Sequence, residues 1–96
     1  MTRKVRLTEE ADQHLTAAAQ WYELQRSGLG HQFLDQVLAA FQRLAEHPLQ
    51  YPVVASGIRR APMTQFPYGL YFRVGRSRIV VVAVMHARRR PPRWLV

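Results

Sequence analysis

Arg78-Ile79-Val80-Val81-Val82-Ala83-Val84-Met85-His86-Ala87-Arg88-Arg89-Arg90 is the stretch on which the fold turns. An isoleucine and four valines within six residues favour a pleated backbone, because β-branched side chains are stiff at χ1 and pack well on a sheet. The run is continuously apolar, without the alternation of a half-exposed strand. Such a strand is covered on both faces, so it is expected to be central. It ends abruptly in His86 and three arginines, followed by Pro91-Pro92, which are expected to keep the segment extended. A buried strand therefore delivers positive charge to one rim of a sheet.

Working back from it, Gly75-Arg76-Ser77 reads as a hairpin turn, and Gly69-Leu70-Tyr71-Phe72-Arg73-Val74 as the strand it connects. Phe66-Pro67-Tyr68 is a turn with apolar flanks. Val53 to Gly57 leads into a further strand over Ile58–Met63, where Pro62 argues for an edge position or a bulge. Leu49-Gln50-Tyr51-Pro52 is a loop with an aromatic anchor. The last three strands make an antiparallel meander.

The first half reads differently. Lys4–Leu7 is a short strand with Val5 and Leu7 on one face. Thr8 is a helix N-cap, followed by Glu9, Glu10 and Asp12 in the first turn, where negative charge complements the helix dipole. Ala11, Leu15, Ala18 and Tyr22 mark one face of a helix over Glu9–Gln25, and Trp21 and Leu24 widen the stripe. Trp21 and Tyr22 are expected in the core. Ser27-Gly28-Leu29-Gly30 reverses the chain into a second helix, His31–His47, stopped by Pro48. The order is β-α-α-β-β-β, an α+β domain spanning residues 1–96, with a helical hairpin packed on one face of an antiparallel sheet.

Composition narrows the function. Residues 1–48 hold all six acids against five bases, whereas residues 49–96 hold nine arginines and no acid, within a chain of net charge +8. That asymmetry predicts a polyanionic or acidic partner, nucleic acid or protein. Thirteen of the fourteen bases are arginine, which suits bidentate contact with carboxylate or phosphate; a compositional bias of the source genome gives the same count. The chain has no cysteine, which excludes disulfides and thiolate metal sites and fits a reducing cytoplasm. No apolar run approaches the roughly 20 residues that span a bilayer, and the basic N-terminus lacks the apolar region of a signal peptide. His14, His31 and His47 show no metal spacing, and there is no glycine-rich phosphate loop, so neither metal nor cofactor is expected.

An ordered set of motifs resembles the RelE/ParE superfamily of bacterial toxins, and most closely its ParE, or plasmid stabilization, branch. The set opens with Leu7-Thr8-Glu9-Glu10-Ala11, Trp21-Tyr22-Glu23 and Gly28-Leu29-Gly30 with Phe33-Leu34. It continues through Pro48, Tyr51-Pro52 and Arg59 to Phe66-Pro67-Tyr68-Gly69-Leu70-Tyr71-Phe72. It closes with Ala83-Val84-Met85-His86-Ala87-Arg88-Arg89, Pro91 and Trp94. The resemblance implies a type II toxin–antitoxin component whose cognate antitoxin wraps a flexible, often acidic segment around it. It leaves two activities open. ParE-like toxins poison DNA gyrase; RelE-like toxins cut messenger RNA on the ribosome.

Metal-free ribonuclease chemistry needs an acid or base near the 2′-hydroxyl and cations around the phosphate. Arg59 or Arg60, Arg73 and Arg88 offer cations. The tyrosine common near the C-terminus of the RelE-like branch is absent, since Tyr71 is the last tyrosine. His86 offers an imidazole, a side chain suited in general to proton transfer, but reads as structural or orienting. The leading expectation is a binding toxin with no catalytic residue, which contacts antitoxin or target through Arg73, Arg88, Arg89, Arg90, Arg93 and Trp94. Trp94 either docks onto the hairpin or marks a binding surface. The alternative is a ribosome-dependent endonuclease using Arg59, Arg60, His86 and Arg88.

Overall fold

The computed structural model describes residues 3–89. β1 (Lys4–Leu7) leads into α1 (Glu9–Gln25) and α2 (Leu29–Glu46), then a 3₁₀ turn (Pro48–Gln50). Four strands follow: β2 (Val53–Ala55), β3 (Ile58–Pro62), β4 (Tyr68–Val74) and β5 (Arg78–His86). The five strands form one sheet in the order β1-β5-β4-β3-β2. Its ladders are antiparallel except where β1 lies parallel to β5, with Val5 opposite Ile79 and Leu7 opposite Val81. The α+β architecture with a helical hairpin is as the sequence reads. The sheet is mixed, though mostly antiparallel, because the chain returns to β1 only after both helices and the meander.

Three local differences have physical causes. The strand β2 pairs with β3 with an irregularity between Val53 and Ala55, and three residues are too few to show a period. Its shortness explains Pro62. The Arg60 N–H donates outward to the Pro52 carbonyl, while the Met63 N–H donates inward to Tyr68. The outward position at Pro62 lies past the end of β2 and needs no donor. Strand β5 is interior but one place from the edge; β4 is the middle strand.

The N-cap of α1 is Thr8, whose hydroxyl accepts from the Ala11 N–H at 3.1 Å. The start of α2 falls two residues before the expected His31, because the Glu23 carboxylate accepts from the backbone N–H of Gly28 and of Gly30, at 2.9 and 3.0 Å. A side chain of the first helix thus satisfies the orphan donors of the second. Gly28 supplies the left-handed turn, with φ +88°. Gly30 is where the helices cross: a Cβ there would sit 2.5 Å from the Ala19 carbonyl oxygen.

Between helices and sheet lies a core of Ala11, Ala18, Phe33, Val37, Ala40 and Leu44 against Leu70, Phe72, Ile79, Val81 and Val84. Tyr22, Phe33, Phe66 and Tyr68 form an aromatic cluster with centroids 4.8 to 6.1 Å apart. Each such pair contributes about 0.5–1.5 kcal/mol beyond its burial. Tyr22 is partly buried and packs against the core through this cluster. Trp21, expected in the core, is not there: it is 55% exposed and meets Tyr22 edge-on, and Leu24 is 84% exposed. Both fall off the face defined by Ala11 and Ala18. Among the described residues no helix is long and apolar enough to cross a membrane.

Candidate partner-binding face

The helices cover one face of the sheet, and strand alternation decides what the other carries. In β4, Leu70 and Phe72 point into the main core, so Gly69, Tyr71 and Arg73 face away. In β3, Arg60 pairs with Tyr71 and shares that outward face. In β5 the register shifts between Tyr71 and Phe72: Phe72 pairs with Val81 and Tyr71 with Ala83, leaving Val82 as an extra residue. This bulge lets consecutive apolar residues all be buried. Ile58, Tyr71, Val82, Ala83 and Met85 form a second apolar cluster on the helix-free face, with Ala55 and Val80 at its margin. The continuous valine run is explained: it feeds two cores.

Cations surround this second cluster. The Arg60 guanidinium lies over the Tyr71 ring, 5.8 Å from its centroid, an interaction of about 0.5–2 kcal/mol. It also rests on Gly69, where a Cβ would come within 2.6 Å of it. Arg73 reaches across to Gly57, its Nη1 3.2 Å from where a Cβ would be. Lys4 and Arg6 alternate with the core-facing Val5 and Leu7, and with Arg78 they line a cavity of about 320 Å³. The six acids all lie on the helices: Glu9, Glu10, Asp12 and Glu23 on α1, Asp35 and Glu46 on α2. Charge is thus segregated by layer as well as by sequence half.

The residues singled out from sequence divide into groups. Arg60 and Arg73 share the helix-free face. Arg59 points to the opposite side, where its guanidinium donates to the Tyr51 carbonyl at 2.6 Å and to the Leu49 carbonyl at 3.4 Å, tying down the loop before β2. His86 stands opposite Tyr68 on β4, with ring centroids 5.3 Å apart, on the helix side of the sheet. The structure therefore does not bring His86 onto the face that holds Arg60. Arg88 and Arg89 are exposed in the turn after β5, where the Arg88 N–H donates to His86 Nδ1 at 3.1 Å and the Arg89 N–H to the His86 carbonyl at 3.0 Å. Arg90, Arg93 and Trp94 lie outside the described residues. Among the described residues no group of three His, Asp or Glu side chains is placed to hold a metal.

Sequence reasoning missed Lys4, Arg6 and Arg78, which are scattered along the chain and meet only through the parallel β1–β5 pairing. It also missed the seat of Arg60 on Gly69. A glycine inside a strand marks close approach of another group, and that signal was available.

The domain is thus a small mixed sheet with one face covered by a helical hairpin and the other carrying cations. The family model for the ParE toxin of type II toxin–antitoxin system, parDE, matches residues 5–91. The chain therefore belongs to the ParE toxin family of type II toxin–antitoxin systems. A solved structure described as the chromosomal ParDE TA system from P. aeruginosa has the same fold. It superposes with a TM-score of 0.78 at 17% identity, over 88% of this chain and 96% of that one. A search of curated proteins finds no match.

Proposed function

We propose that this toxin is held inactive in the cytoplasm by an acidic segment of its cognate antitoxin lying on the helix-free sheet face, and that when free it inhibits DNA gyrase by binding. The observation that carries this reading is the set of cations Lys4, Arg6, Arg60, Arg73 and Arg78 on the helix-free face, around an apolar cluster already buried in the free chain, with every acid of the chain on the helices. An acidic segment complements that charge. Arg88 and Arg89, with Arg90 and Arg93 beyond them in sequence, add positive charge to the same half of the chain, and Trp94 follows as an aromatic contact. Membership of the ParE family favours gyrase as target. The endonuclease alternative draws support from Arg60 and Arg73 sharing one face, but it needs a proton-transfer group there. Among the described residues, the imidazoles lie elsewhere and Tyr71 is buried beneath Arg60.

Pulse labelling after induction of the toxin alone distinguishes the targets. Thymidine incorporation is expected to fall within minutes while methionine incorporation continues, and His86→Ala is expected to leave that toxicity intact. Early loss of methionine incorporation, abolished by His86→Ala, would replace the gyrase reading with the endonuclease.

A further inference from the structure

Where β1 ends, the outer edge of β5 is taken over by side chains from α1. The Thr8 hydroxyl reaches the Val82 carbonyl at 3.4 Å, and the Val84 N–H donates to His14 Nδ1 at 3.2 Å. Below this point α1 and the end of β5 part to leave a cleft of about 310 Å³. Its walls include His14, Trp21, Tyr68, His86 and Arg89, over a floor of Ala18 and Val84.

Both imidazoles in this cleft have the same tautomer, for the same reason. Nδ1 of His14 accepts the Val84 N–H, and Nδ1 of His86 accepts the Arg88 N–H. A nitrogen that accepts carries no proton, so in each neutral ring Nε2 is the N–H donor. The Tyr68 hydroxyl and the Arg89 guanidinium add further donors. Burial lowers the pKa of His14 and raises that of Tyr68; the Arg89 charge is felt by both, adding to the fall at His14 and only partly offsetting the rise at Tyr68. Glu10 acts on His14 in the opposite sense and more weakly, and it lies outside the cleft walls. The result is a concave site with several donors, one full positive charge and an aromatic wall.

We infer that this cleft is a carboxylate site that receives an acidic side chain of a bound peptide, its alkyl part lying against Trp21. One guanidinium with two neutral N–H donors matches a singly charged carboxylate, and the fork of Arg89 suits its two oxygens. Trp21, 55% exposed in the free chain, supplies the apolar surface that a glutamyl stem covers. The inference rests on the reading that the partner is an acidic peptide segment, and it adds a contact on the opposite side of the sheet from the cationic ring.

The test does not need the antitoxin. Side-chain NMR of His14, His86 and the Trp21 indole is followed during titration of the full chain with N-acetyl-glutamate N-methylamide. The glutamine counterpart and inorganic phosphate are titrated in parallel, at low salt and neutral pH. The glutamate probe is expected to give saturable shifts at all three rings, and the glutamine probe none. Arg89→Gln, at an exposed position in a turn, is expected to weaken binding about tenfold, the scale of one charge-assisted hydrogen bond. Equal responses to the two amino-acid probes, no saturable shift, or no change in Arg89→Gln would each overturn the inference. Tighter binding of phosphate would reassign the site to that ion and overturn it as well. Failure here leaves the antitoxin reading standing, since that reading depends on the helix-free face.

Discussion

Glu23 shows how much one side chain decides. Its carboxylate accepts from Gly28 and Gly30 N–H, closing the turn between the helices and capping the second. Glu23→Ala is expected to cost about 1 kcal/mol, the usual worth of a cap at an exposed helix start. Gly30→Ala is expected to cost more, about 1–3 kcal/mol, because the added methyl meets backbone that cannot swing away. Urea denaturation of both variants checks the order; a milder effect at Gly30 would show that the hairpin yields there. His14 is the residue whose titration matters. Burial disfavours its imidazolium and Arg89 repels it, so its pKa lies below 6.5 despite Glu10. A histidine depressed in the folded state gives stability that is present above its unfolded pKa and lost as pH falls through the folded one. Protonation at Nδ1 also removes the acceptor of the Val84 N–H. His14→Asn keeps an acceptor near that position without titrating. Its stability is expected to fall less than that of the unaltered chain as pH drops from about 7.5 to 5. Parallel losses in urea melts across that range would contradict the assignment.

At the scale of elements, the hairpin and the meander were legible because each rests on local signals. Thr8 with its acidic first turn, the glycines between the helices, and Pro48 after the second all act within a few residues of where they stand. The valine run of β5 announced a strand covered on both sides. Its bulge at Val82 did not show, since a bulge depends on the partner strand's register and not on the run itself. The parallel pairing of β1 was equally hidden, because Lys4 and Arg78 are brought together only by the completed fold. Trp21 was misplaced for a related reason. Helical period puts it beside Tyr22 on a widened stripe, but only the face centred on Ala11 and Ala18 is buried.

On the whole molecule, two layers of opposite character are joined through one main core. The helical layer holds every acid, and the sheet turns a cationic ring around a second apolar cluster away from it. The proposed acidic segment is matched to the charge of this face, since its apolar cluster is already buried in the free chain. The excess of arginine was plain in the sequence. Strand alternation alone sets the adjacent Arg59 and Arg60 on opposite faces, but which arginines share a face across strands was not legible: Arg6, Arg73 and Arg78 converge from three strands. The most direct measurement is calorimetric titration of the toxin with its cognate antitoxin across a range of salt. The unaltered chain is compared with one carrying Arg6→Glu, Arg73→Glu and Arg78→Glu, all exposed positions. The account predicts a loss of about a hundredfold in affinity at low salt and a flatter salt dependence of what remains. Unchanged affinity with an unchanged salt slope, in a variant that melts like the unaltered chain, would contradict it.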